Sequence, residues 1–199
     1  MLDEAWKNTN TGKSYNLGDF RSVVEMLKGS PIAISKYMRD NFKNLGVCRS
    51  NGMGMHIADS YIFQPAEKTF KEKGGDPTDL AMFGLTLLLE DKEWSYDNFE
   101  VNKNNAACVL TSFKLTYFGE KTSESTHTEG SATTLYIQNG SFYIIDTGYR
   151  GNCNISGPFK TIDDAAYATF PGFGYTDYFN LKTYDKYELL NIVNKYNKK

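Results

Sequence analysis

Histidine, cysteine and proline are scarce in this chain: two, three and five of 199 residues. The cysteines, Cys48, Cys108 and Cys153, are odd in number and far apart, so they do not form a disulfide framework. The count leaves room for one disulfide beside one free thiol. No Cys-x-x-Cys and no Cys/His cluster offers a zinc site. No apolar run approaches the ~18–20 residues of a membrane-spanning helix, and Met1-Leu2-Asp3-Glu4-Ala5-Trp6 is not a signal peptide. A cytoplasmic location is therefore favoured over secretion with a leader removed. Neither sign of charge is in excess. A net charge of −2 speaks against a phosphate-tracking nucleic-acid surface. The basic end Lys195-Tyr196-Asn197-Lys198-Lys199 is too short to change that and reads as a solvated terminus.

With 40% hydrophobic and 23% charged residues the chain reads as globular, able to bury a core without staples. We expect a single domain over 1–199, with an N-terminal helical region at 1–54, a core at 55–150, and a C-terminal aromatic loop and helices at 151–199. Aromatics reach 15%, with 14 Tyr and 13 Phe. Strand and core positions account for most of them; a groove or interface lining is the second use.

The first third is helical in pattern. Asp19 is a good N-cap for Phe20 to Lys28, with Gly29 as the stop. Ser30-Pro31 restarts a helix in which Ile32, Ile34, Tyr37, Met38 and Phe42 recur at helical spacing up to Gly46. A broken helical segment is expected from about His56 to Lys73, interrupted near Pro65. Asp76 and Pro77 then open an almost wholly apolar helix to Glu90, which should be buried on most sides. Gly84 in its middle costs about 1 kcal/mol of propensity, which a close helix–strand contact would explain.

The second half switches to period two. Ala107 to Phe118 alternates, with Val109, Thr111, Phe113, Leu115 and Tyr117 on one face. Residues 119–130 read as a polar loop. Asn139-Gly140 sits between Thr133–Gln138 and Ser141–Asp146, the pattern of a two-residue type I′ hairpin. Thr161 starts a short helix, Phe170 to Tyr175 is an aromatic, glycine-punctuated loop, and Asp185 to Asn194 closes the chain as an amphipathic helix. Helices followed by an antiparallel sheet make an α+β fold.

Gly75-Asp76-Pro77-Thr78-Asp79-Leu80-Ala81, followed by the apolar run to Leu89, resembles the transglutaminase-like superfamily, which shares its core with papain-type cysteine peptidases. That family's signature is Gly-Asp-Cys-x-Asp-x-Ala at the start of a buried helix, then a strand entered through His, a hairpin, and a strand ending in Asp. Gly75, Asp76, Asp79 and Ala81 match. Phe142 falls where the family has Trp, and Asp146 where it has its catalytic Asp. The resemblance covers roughly residues 55–150. It implies a buried central helix packed on an antiparallel sheet. It also departs from the family where chemistry is done. Pro77 takes the cysteine position, and counting back through the turn places Ser131 at the histidine position. Pairing 133 with 146 makes 131 a diagonal neighbour of Asp146. His127 lies four residues upstream, ~13 Å at ~3.3 Å per residue, and His56 precedes the helix.

Cysteine catalysis needs a thiolate activated by a neighbouring base, so no catalytic residue is expected among Pro77, Ser131 and Asp146. Cys48, beside Arg49-Ser50-Asn51-Gly52 with His56 eight residues on, is a weak rival nucleophile. Cys108 reads as core and Cys153 as exposed. Ser131 or Thr78 would need a base, for which Asp79 and Asp146 are poor candidates. Asp76, Asp79, Asp163 and Asp164 lack the alternating spacing of a calcium loop and suit helix capping better. No metal and no cofactor is expected. The leading expectation is a non-catalytic domain that binds a protein or peptide, or acts as a scaffold. Its binding residues would be Ser131, Thr133, Asp146, Tyr136, Tyr149, Phe173 and Tyr175, and strand addition beside a sheet edge is one mode. The alternatives are an active cysteine-type hydrolase or acyltransferase with an unconventional site, and a structural component of a cell surface or virion.

Overall fold

The structure, a computed structural model, describes residues 15–44, 64–95, 104–117, 126–147, 152–169 and 178–184. The first helix, α1 (Phe20–Leu27), starts where Asp19 accepts from the Ser22 N–H at 2.8 Å and stops at Gly29, whose φ is 70°. The second, α2 (Pro31–Asn41), has Ser30 as its cap and Pro31 as its first residue. It ends five residues before Gly46. Tertiary pairing takes over there: Lys43 donates to the Lys73 carbonyl at 2.9 Å, and β1 (Lys43–Asn44) pairs in parallel with β2 (Gly74–Gly75). Ile32 is 74% exposed, so it does not belong to the buried face of α2 that Ile34, Tyr37 and Met38 form.

Between those two short strands lies α3 (Ala66–Glu72), which begins directly after Pro65 and is closed by Lys73 in the left-handed region. The central helix α4 (Pro77–Leu89) follows. Nearly every one of its side chains is buried, as its apolar composition predicts. Trp94 ties its far end to the α1–α2 turn by donating from Nε1 to the Gly29 carbonyl at 2.9 Å.

The remaining strands are β3 (Ala106–Tyr117), β4 (Thr126–Gln138), β5 (Ser141–Asp146), β6 (Asn154–Phe159) and β7 (Tyr178–Tyr184). They form one antiparallel sheet in the order β6-β5-β4-β3-β7. Asn139 and Gly140, at φ 53° and 74°, make the expected turn, and the register runs from Gln138 opposite Ser141 to Thr134 opposite Ile145. Residues 126–130 are strand rather than loop, held by pairing with β3 down to Thr126 opposite Tyr117. The strands β6 and β7 are not among the sequence expectations. The second of these pairs with the distant β3, a contact no local pattern specifies.

The two faces of the sheet carry different layers. On one, α4 with α1, α2 and α3 packs on Ala107, Val109, Ala132, Tyr136 and Ile145. On the other, Cys108, Leu110, Leu135 and Ile144 meet Ala165 and Ala166 of α5 (Ile162–Ala168). In the described strand order β6 is one edge and β7 the other, and α5 lies between them in sequence. Mixed helix and antiparallel sheet is the α+β class. The regions 170–177 and 185–194, read as an aromatic loop and a closing helix, lie outside the described residues, as does 56–63.

Candidate functional site

The start of α4 is built from four polar groups and one glycine. Asp76 is the N-cap: its Oδ1 accepts from the Thr78 N–H at 2.9 Å and the Asp79 N–H at 3.0 Å. Asp79 answers as the third helical residue. Its Oδ2 accepts from the Asp76 N–H at 3.1 Å, a capping box made with two aspartates. The other carboxylate oxygen of Asp79 accepts from the Gln64 N–H at 3.0 Å and so anchors the chain entering α3. Gly75 permits the arrangement. A Cβ there would sit 2.5 Å from the Asp79 Cβ and 2.7 Å from its Oδ2.

Gly75, Asp76 and Asp79, three of the four residues that carry the family resemblance, are therefore a helix-starting and chain-anchoring device. Pro77 and Thr78 are buried beside them. Among the described residues Thr78 Oγ1 has no hydrogen-bond partner, and neither does Gln64 Oε1. A hydroxyl that is not hydrogen-bonded to a base is not an activated nucleophile.

Asp146 stands elsewhere. Along β5, Ile145 belongs to the α4 face and Ile144 to the α5 face. Asp146 continues the parity of Ile144 and Phe142, while Thr133 continues that of Leu135. Both positions thus align with the face away from α4. Ser131 is in β4 opposite Ser112, two residues from Thr133, so positions 131, 133 and 146 share one parity. Positions 133 and 146 thus lie on the face opposite the layer that holds Pro77, and 131 shares their parity along the backbone of β4. His127 lies further along the same strand, opposite Thr116, with β4 continuous between it and position 131.

Thr133 is fully buried, and its Oγ1 lacks a hydrogen-bond partner among the described residues. A bulky residue there would overpack the core rather than report on a groove. Tyr136, expected on a binding surface, is only 2% exposed. Its even position in β4 turns it to the α4 layer, where it stacks on Tyr143 at 5.3 Å and meets Trp94 edge-on at 5.9 Å. Burial raises its phenol well above the ordinary range. Tyr149, Phe173 and Tyr175 lie outside the described residues.

The thiols follow burial. Cys108 is buried on the α5 face, where desolvation lifts its pKa well above the ordinary thiol value. Cys153, expected to be exposed, is buried at a backbone φ of 55° just before β6. Its carbonyl accepts from Ser35 Oγ at 2.6 Å, and its N–H donates to the Asp146 carbonyl at 2.9 Å. Burial first, and the Asp146 charge second, push its thiol up to about 12. Both cysteines are free thiols. Cys48 and His56 lie outside the described residues.

The acidic clusters have structural roles. Asp164 accepts from the Thr161 N–H at 3.2 Å in a second capping box, as Asp76 and Asp79 do in the first. Sequence reasoning named these aspartates as caps but missed the Asp79–Gln64 anchor. Its signal lies only in the fold, since Gln64 is fifteen residues away.

No protein-family model matches this chain, and no curated protein matches it.

Proposed function

We propose that this chain is a non-catalytic protein- or peptide-binding module, and that its helix start follows the transglutaminase-like pattern in architecture alone. The observation that carries this reading is the capping box. Both oxygens of the Asp79 carboxylate are engaged by backbone N–H groups, and the residue at the nucleophile position is a buried proline. Such a start orients a helix; it offers neither a nucleophile nor a proton acceptor.

With Tyr136 in the core, binding falls to the sheet margins. Strand addition suits an antiparallel sheet whose outermost described strands are β6 and β7. The first of these carries Pro158, which has no N–H to donate, and Gly157 at φ 130°. The β7 margin is therefore the better acceptor.

Two measurements test the proposal. A thiol-reactive activity probe is applied to the native protein and to Cys48→Ala, Cys108→Ala and Cys153→Ala, with ester and amide turnover followed in parallel. The expected result is no turnover. Turnover that disappears with one of these variants would establish a cysteine enzyme instead. Peptides selected from a displayed random library are then titrated into isotope-labelled protein. Amide shifts concentrated on 178–184 support strand addition; shifts confined to α5 or to the α1–α2 surface refute it.

A further inference from the structure

We draw no further inference here: the strongest candidate, the buried side-chain cluster at the start of α4 where Thr78 Oγ1 and Gln64 Oε1 have no hydrogen-bond partner among the described residues, carries nothing because Asp76 already holds the first-turn N–H groups above it and nothing in the structure shows a ligand that reaches either oxygen.

Discussion

Thr134 donates a hydrogen bond of 2.9 Å from its Oγ1 to the Ala81 carbonyl, across the space that Gly84 leaves open on α4. A methyl group at position 84 would collide with that same Oγ1. The glycine that weakens the helix locally is what lets it lie against β4. Gly84→Ala gains about 1 kcal/mol of helix propensity and loses more to overpacking, for a net destabilisation of about 1–2 kcal/mol. In Thr134→Ala the obstructing hydroxyl is gone, so adding Gly84→Ala should cost much less there. Urea unfolding of the two single variants and the double variant measures the coupling. Strict additivity would show that the two residues do not interact.

Asp79 has a structural role that predicts a graded loss. Asp79→Ala orphans the buried N–H groups of Gln64 and Asp76, at about 1–3 kcal/mol for each. Asp79→Asn keeps one acceptor oxygen and should fall between the alanine variant and the native protein. Thermal unfolding gives the order. An asparagine variant no more stable than the alanine variant would remove the carboxylate's double anchoring from the account.

Tyr37 is buried, stacks on Phe83 at 6.3 Å, and leaves its hydroxyl without a hydrogen-bond partner among the described residues. Removing an unpartnered buried hydroxyl relieves its desolvation cost. Tyr37→Phe should therefore match or exceed native stability by about 1 kcal/mol. Burial also pushes this phenol up from 10.0 to about 12. The folded state thus holds the proton more tightly than the unfolded state. Its stability contribution is complete below pH ~10 and is lost as pH rises toward the folded value. Urea midpoints between pH 8 and pH 11 should fall less steeply for Tyr37→Phe; identical slopes would contradict this.

Cys153 and Cys108 should resist alkylation while the protein is folded. Burial favours the neutral thiol in both, and at Cys153 the Asp146 charge adds to it. Because the folded-state values are raised, the protection they bring is present at neutral pH and is lost as pH rises through them. Mass-spectrometric alkylation at pH 8 should leave both unlabelled in buffer and label both in denaturant. Rapid native labelling of Cys153 would place its sulfur at the surface.

Local chemistry made several elements legible. Asp19, Ser30, Asp76 and Thr161 each sit before a helix as side-chain acceptors, and each caps one. Asn139-Gly140 tolerates positive φ, so it sets both the turn and the register of β4 on β5. The candidate site was less legible. Period two shows that positions 131, 133 and 146 share a face, but not which layer covers that face.

Elements set by long-range pairing were not visible. Lys43–Asn44 continue a helical pattern in sequence and leave it because Gly74–Gly75 are alongside. Residues 126–130 look like a polar loop until β3 pairs with them.

The sequence by itself determined where α1, α2, α4 and α5 start, where the hairpin turns and that α4 is buried. Capping, positive-φ tolerance and hydrophobic composition act over a few residues, so they can be read from a few residues. Only the tertiary structure decided that α5 covers the second face, that Tyr136 packs against Trp94 and Tyr143, and that Asp79 anchors Gln64. These depend on the order of strands in the sheet and on which face each layer covers. Contacts between residues distant in sequence fix both, and no local pattern encodes them.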